Sequence, residues 1–595
     1  MYFMKNKESK IVLPDVVVPS FTVYINPVEG EMPLMAIGTP GGATVFDYNT
    51  LFRMKECGMN IAENTLRVSS IETSLLNAQS AKMKIMVRLP MPSFAIYKTV
   101  EKEIDGEKKK VDEPIVNNLP FVNPNDSKWT DFYNDWENVV ATYGSNSSVA
   151  GWMVKDEPQI KDFWVVAECI KRIYTKVMEN EDNSSQMFVF NNMLKVKLLS
   201  ENTTSDLLYL TGGMGEKYFV TIKGEMTEVI SHEDILSHFE GYSAITSYKE
   251  YLRLFWKLTH TPMFSVDAYP FSGETYSFNK QKSVWEKNVY DTNNNLKRNI
   301  EAYFKTLTEY NTQTRPFWST VPTTQECYKK TSTGNDGKSV SIWEDRLQIP
   351  SLASLRYQAF SSLAFGACGL SFWRFSDEIH EDSGIKWINS PLGIDGNKTP
   401  LFDAVKTVVS QIKKFQNIFL NSKEVTPIFL KPLNESTIGN NLSSEDFIPR
   451  AYNTPGVKTL IVDNNGILCD YGIIDENDGE IVVRKLQRDD DKYSEYNRLI
   501  GDGGVRENNK EEIRTITFSF LKAIKAPSDY GCLISRLLTD DKEYLIVLNL
   551  DYVDIQPVHI EFTDFVRDES SETAIVKQLT FKMQPGDWRI FSRKL

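Results

Sequence analysis

Histidine is scarce, cysteine is scattered and positive charge is in deficit. The chain of 595 residues holds five His. The stretch "SHEDILSH" (Ser231 to His238) approaches a metalloprotease helix and fails. HExxH needs its second His where Leu236 stands. The six cysteines, Cys57, Cys169, Cys327, Cys368, Cys469 and Cys532, lie far apart and form no CxxC pair, which argues against a zinc site or a redox motif. In apolar contexts they read as buried thiols. No metal and no organic cofactor is therefore indicated. Lys and Arg number 67 against 80 Asp and Glu, for a net charge of −13. Without a basic stripe interleaved with aromatics, no nucleic-acid partner is expected. The mixed-sign run "EKEIDGEKKK" (Glu101 to Lys110) reads as a solvated loop. No apolar run reaches the length of a membrane-spanning helix. The opening "MYFMKNKESKIVLPDVVVPS" lacks an apolar signal core. The expectation is a cytoplasmic chain or, slightly favoured, a periplasmic or cell-surface one whose signal has been removed.

What is present is aromatic. Phe, Tyr and Trp make up 12% of the chain, with 33, 26 and 11 copies. Most would fill cores, and some can offer the flat apolar faces on which sugar rings stack. The length is too great for one core. From residue 34 to 418 a strand pattern and a helix pattern alternate. The strands are read in "LMAIGTP", "NIAENTL", "KIMVRLP", "VAGWMVKDEP", "MFVFNNML", "MFSVDAYPF", "RPFWSTVP" and "GLSFWRF". Each is followed by a helical periodicity, the last being "TPLFDAVKTVVSQIKKFQNIF". These counts match a (β/α)₈ TIM barrel. Apolar runs, rather than strict alternation, suit parallel strands covered by helices. An open doubly wound sheet lacks its glycine-rich first turn. After residue 419 the texture changes to period-two runs such as "EYLIVLNLD" and "VHIEF", separated by Asn, Asp and Gly turns. They predict an all-β antiparallel sandwich. The expected organisation is an N-terminal segment 1–30, a catalytic barrel 31–418 and a sandwich 419–595. Within the last, the charged stretch Gln487 to Glu512 reads as a loop.

Barrel chemistry sits at the C-terminal ends of the strands. In "GWMVKDEPQI" (Gly151 to Ile160) strand four ends in Asp156 and Glu157. Strand six ends in Asp267, followed by Tyr269, and strand three ends in Arg88. Strand seven offers Trp318; strand eight offers Trp373 and Asp377. Acids and aromatics so gathered suit glycosidic cleavage. One carboxyl donates a proton to the leaving oxygen, while the other stabilises or attacks the oxocarbenium-like centre. The acid must keep its proton near neutral pH. Glu157 and Asp267 are the candidate catalytic pair. Asp156, Arg88, Tyr269, Trp318, Trp373 and Asp377 are candidate contacts for an oligosaccharide or polysaccharide. Adjacent strand residues point to opposite faces, so Asp156 and Glu157 share the barrel mouth only if the strand end twists.

"GWMVKDEP", "DAYP" and "GLSFWRF … GIDGNKTPLFDAVKTVV" resemble the (β/α)₈ glycoside hydrolases. They are similar to the β-galactosidase-like group, family 42 included, with a sandwich behind the barrel. The closing "MQPGDWRIF" resembles the C-terminal sandwich of sugar hydrolases. The resemblance implies that Glu157 is the acid/base of an Asn-Glu-Pro motif in which Asp156 replaces the Asn. It also implies a nucleophilic Glu at the end of strand seven, where this chain has Ser319 and Thr320. Three readings stand: Glu157 pairs with Asp267; a loop supplies Glu326; or the barrel binds glycans without cutting them. A metal-dependent barrel enzyme is weakened by the scarcity of His.

Overall fold

The computed structural model describes residues 26–91, 127–158, 162–179, 248–430, 520–525 and 532–595, less a few positions, with separate strands in the segments between. Most of the N-terminal segment, the stretch Ser231 to His238 and most of Gln487 to Glu512 lie outside the described residues.

Eight strands close into a barrel: β1 (Leu34–Ile37), β2 (Ile61–Thr65), β3 (Lys84–Arg88), β4 (Val149–Asp156), β5 (Val189–Met193), β6 (Phe264–Val266), β7 (Phe317–Pro322) and β8 (Gly369–Trp373). Their neighbours around the barrel follow chain order. The helices behind them are α1 (Tyr48–Glu56), α2 (Ile71–Ala81), α3 (Thr130–Tyr143), α4 (Phe163–Met178), α5 (Tyr248–Thr259), α6 (Val289–Thr312), α7 (Leu352–Ala364) and α8 (Pro400–Leu420). Local chemistry starts them. Asp47 accepts from the Thr50 backbone N–H and hydroxyl at 3.0 and 2.6 Å, capping α1. Ser351 and Ser354 cap each other's backbone at the start of α7. Thr399 caps α8, with Pro400 in the first turn. The barrel expected from the sequence is the one found.

The described chain divides into two compact units: Glu63–Ser80 with Lys84–Asp267, and Val28–Ala62 with Ala81–Met83 and Ala268–Leu595. The first unit corrects one expectation. Glu101 to Lys110 is not a loop, because Ile96–Ile104 and Glu107–Ile115 pair as a hairpin. Its register sets Glu101 opposite Lys110 and Glu103 opposite Lys108, cross-strand pairs of opposite charge.

In the second unit, a four-stranded antiparallel sheet follows β7 and β8. Its order is Ser339–Leu347, Gln325–Thr333, Ile385–Ile388 and Glu378–His380. Behind the barrel strands of this unit lies the β-sandwich. Its strands include β9 (Glu424–Leu430), β10 (Leu521–Lys525), β11 (Cys532–Leu538), β12 (Lys542–Asn549), β13 (Gln556–Asp568), β14 (Ile575–Met583) and β15 (Trp588–Lys594). These pair antiparallel, and farther along the sheet Lys458–Val462 and Ile513–Thr517 pair in parallel. Every second residue faces one core: Leu545 and Val547, Val558, Ile560 and Phe562, Phe581 and Met583. That is the period of two read in the sequence.

The sandwich grips α7. Ser535 Oγ donates to Ala364 O at 2.6 Å, and Asn311 bridges Phe365 O and Val425 O at 2.8 and 3.0 Å. Gly586 sits at φ +66°, where an added Cβ would lie 2.4 Å from Ala353 O. Gly586→Ala is therefore expected to lower stability by about 1–3 kcal/mol through overlap and left-handed backbone cost. Thermal unfolding reads this directly; an unchanged Tm would mean that the turn moves off α7 without penalty.

Candidate functional site

In the first unit the strand-four end is re-aimed by its backbone. Met153 pairs with Phe190 of β5, but the next partner of Asn192 is Asp156, so β4 carries an extra residue. Such a bulge bends a strand and turns its side chains. Glu157 follows at φ +45°, with its N–H held by Asn192 O at 2.9 Å. A left-handed, non-glycine residue at a strand end is uncommon. Together the bulge and this residue bend the backbone at the end of β4.

A polar chain then crosses five successive barrel strands. Arg88 Nη1 on β3 lies 3.4 Å from Glu63 Oε1 on β2 and 3.5 Å from Asp156 Oδ2. Asn192 on β5 donates to Asp156 Oδ1 at 3.3 Å and accepts from Ser265 Oγ on β6 at 3.0 Å. Glu63 is 1% exposed. Burial works against the charge on Arg88, yet Asp156 and Glu63 hold the guanidinium above its ordinary value. A buried carboxylate and an arginine thus fix the face of Asp156, while the strand end leaves it half-exposed. Asp267, just past β6, ties its N–H to Met193 O at 3.2 Å and is partly exposed.

In the second unit Tyr269 stacks on Trp373, with centroids 5.4 Å apart and planes 10° off parallel. Trp373 meets Trp387 edge-on at 6.0 Å. The Trp373–Arg374 peptide bond is cis. Arg374 pairs with Glu378, donates to Ser376 O and Thr39 O, and lies 5.4 Å from the Trp387 ring centroid. Glu326 is not on a free loop but on the strand that continues from β7. There its Oε1 accepts from Tyr328 Oη at 3.1 Å, Trp387 Nε1 at 3.2 Å and Arg346 Nη1 at 3.5 Å.

Two expected sugar contacts have other duties. Trp318 is fully buried in the barrel wall, and its indole fills the space that a Cβ on its partner Gly369 would take. It packs within the barrel wall. Asp377 accepts the Ser390 backbone N–H at 2.8 Å, which ties the loop after β8. Burial raises its carboxyl above the ordinary value, against the pull of Ser390 and Arg374. A raised folded pKa means that the fold favours the protonated form. That stabilisation is complete below the unfolded value and is lost as pH rises through the folded one. Asp377→Asn, which keeps the acceptor, is expected to raise Tm at pH 7. The gap should close as pH falls below 3.8, the group's ordinary value. Thermal melts across that range check it, and KM should not change; a raised KM would return Asp377 to the substrate.

Sequence reasoning missed Glu63, Asn192 and Ser265. Each is a polar residue inside an apolar strand run, the one signal available. It also missed Tyr328, Arg346 and Trp387 around Glu326. Among the described residues no group of His, Cys, Asp and Glu is arranged to hold a metal ion, and no helix is long and apolar enough to cross a membrane.

No family model matches the chain, and no curated protein matches it. Among solved structures it is similar to a catalytic mutant of a GH42 β-galactosidase from G. stearothermophilus, at 10% identity over 95% of this chain and 98% of that one, with a TM-score of 0.43. It is similar to a β-galactosidase from Bacillus circulans sp. alkalophilus, at 8% identity over 95% and 99%, with a TM-score of 0.45. It is also similar to a family 39 glycoside hydrolase from the gut symbiont Bacteroides cellulosilyticus WH2, at 10% identity over 97% and 82%, with a TM-score of 0.36.

Proposed function

We propose that the protein hydrolyses glycosidic bonds of an oligosaccharide or polysaccharide, with Glu157 as general acid. The backbone at Glu157 carries this reading. A bulge at Asp156 and a left-handed residue at Glu157 are costly at the end of a buried strand. Such features persist where a side chain has to be aimed. Asp156, oriented by Arg88 and Asn192, can accept hydrogen bonds from sugar hydroxyls. Its replacement of the Asn of the Asn-Glu-Pro motif removes the amide donor, so it accepts where the Asn could also donate. In the second unit, the Tyr269 and Trp373 stack offers an apolar edge to a sugar ring. The chemistry is assigned to 31–418, with 419–595 as support for α7. The second carboxyl function falls to Asp267 or Glu326.

The test is hydrolysis of a panel of α- and β-nitrophenyl glycosides and natural oligosaccharides. Turnover of any of them by the purified protein supports the reading and names sugar and linkage together. Glycan binding without turnover on the whole panel would make the barrel a binding protein instead.

A further inference from the structure

A proline sets the first step. The loop after β6 runs through Tyr269, Pro270 and Phe271, and all three are buried. Pro270 locks its own φ and biases Tyr269 toward an extended backbone. The tripeptide is stiff, so the seat of Phe271 governs where Tyr269 stands. Tyr269 is 9% exposed and lies behind Trp373, which ends β8 half-exposed. Trp373 is thus the face of the stack and Tyr269 its backing.

Phe271 is seated from two directions. Its backbone side joins the four-stranded sheet. Gln348 N–H donates to Phe271 O at 3.4 Å, Ser272 bridges to Leu347, and Gly273 N–H donates to Arg346 O at 3.0 Å. Gly273 passes so close that an added Cβ would lie 2.1 Å from Asp345 O. The Phe271 ring meets two tyrosines. Tyr357 of α7 stands 5.3 Å away between centroids, at 67° between planes, and Tyr552 of the sandwich 5.0 Å away at 66°. Tyr357 and Tyr552 meet edge-on at 6.0 Å and close the triangle. Contacts of this kind depend on how the rings are oriented.

Tyr552 is presented by a turn between β12 and β13 that holds its own shape. Asp551, 6% exposed, accepts the N–H groups of Val553 and Asp554 on one oxygen, both at 2.9 Å. Asn549 Oδ1 accepts the Asp551 N–H at 2.9 Å, and its Nδ2 donates to Asp554 O at 3.3 Å. Gly586 N–H donates to Asp551 O at 2.9 Å. These bonds do not use the Tyr552 ring, so the turn survives its removal. An interface residue can simply pack. Tyr552, however, is half-exposed, and one of the two rings it meets lies two residues from Tyr269.

We infer that Tyr552 is a positioning residue for the Tyr269 and Trp373 stack, so that the sandwich sets, through Phe271 and Pro270, how that stack meets a sugar ring. The inference rests on the reading of the stack as a sugar contact. In this role Tyr552 and Phe271 neither touch the sugar nor move a proton. Their loss weakens the hold on substrate and transition state alike, which raises KM and leaves kcat.

The experiment is steady-state kinetics of the full chain on each glycoside of the panel that it hydrolyses. Tyr552→Ala should raise KM about 2–10-fold, the factor that one aromatic pair contributes, with kcat unchanged. Tyr552→Phe keeps the ring and should restore the wild-type KM. Phe271→Ala should match Tyr552→Ala, and the double variant should be no worse than either, because both break one chain of contacts. Trp588→Ala, which instead removes packing on Phe360, Phe415 and Phe419, should leave KM unchanged below its first unfolding transition. That contrast separates positioning from docking of the sandwich. A wild-type KM in Tyr552→Ala, or additive rises in the double variant, would overturn the inference and leave the hydrolase reading standing. Where glycans bind without turnover, the same variants are compared by Kd, with the same outcomes. A chain that neither hydrolyses nor binds any member of the panel would remove both.

Discussion

Glu157→Gln is expected to lower kcat about 10²–10⁴-fold on natural oligosaccharides, the range by which a positioned general acid accelerates proton transfer. The amide keeps the shape of the carboxyl and its hydrogen-bonding capacity, so substrate still binds and KM should hardly move. The loss should depend on the leaving group. A sugar alkoxide needs the proton as the bond breaks, so its full penalty appears. A dinitrophenolate leaves as a stable anion, so bond cleavage itself should slow far less. That gradient separates loss of an acid from loss of fold or of binding, which would lower every substrate alike. Steady-state kinetics on aryl glycosides of graded leaving-group acidity, beside one natural oligosaccharide, reads it. A uniform loss would deny Glu157 the proton-donor role. The substitution should leave Tm close to wild type, because the strained backbone at Glu157 is set by the bulge and by Asn192 rather than by the side chain. Replacement by Gly, which accepts φ +45° freely, is the complementary control. It should raise stability slightly while removing turnover as completely as Gln does.

The barrel was legible because its physics is local. Covered parallel strands read as apolar runs such as "FWSTVP", and β7 is buried at every position. Helix starts announce themselves through Asp47, Ser351 and Thr399. The carboxylates of Asp156 and Glu157 stood out because charge is costly at the end of such a run. What aims them was not legible. The bulge is a relation between Met153 and Asp156 on one strand and Phe190 and Asn192 on another, and no single stretch records it. Glu326 was read as a loop residue for a similar reason. Trp387, which fixes it, lies 61 residues further along the chain, and only sheet register brings them opposite. Trp318 was placed at the mouth on the strength of its chemistry. The space that buries it is the missing side chain of Gly369, again a fact about the neighbouring strand.

The largest effect on stability is expected at Trp588. It opens β15 and is 7% exposed. Its indole lies flat on Phe360 of α7, with centroids 3.9 Å apart, and against Phe419 of α8 at 5.4 Å, both within about ten degrees of parallel. Phe415 closes the group edge-on at 5.9 Å. One side chain of the sandwich thus fills a three-ring socket made by two barrel helices. Trp588→Ala removes the indole and leaves the rings facing a cavity, a loss of about 3–5 kcal/mol for a fully packed tryptophan. The three rings come from helices with their own core contacts, so the socket cannot collapse to recover much of that loss. Trp588→Phe keeps a stacked ring and should lose much less. In a chain of this size unfolding is not assured to be two-state, so the readout is calorimetric. If Trp588 couples the sandwich to α7 and α8, the alanine variant should show a sandwich transition that moves to lower temperature and separates from the rest. A single transition shifted by less than about 1 kcal/mol would mean that the interface is held by Ser535, Asn311 and the Gly586 turn instead. Below the first transition, turnover of Trp588→Ala should match wild type, because no part of the socket belongs to the chemistry. It is the reverse of Glu157→Gln, which removes turnover and leaves the melt in place.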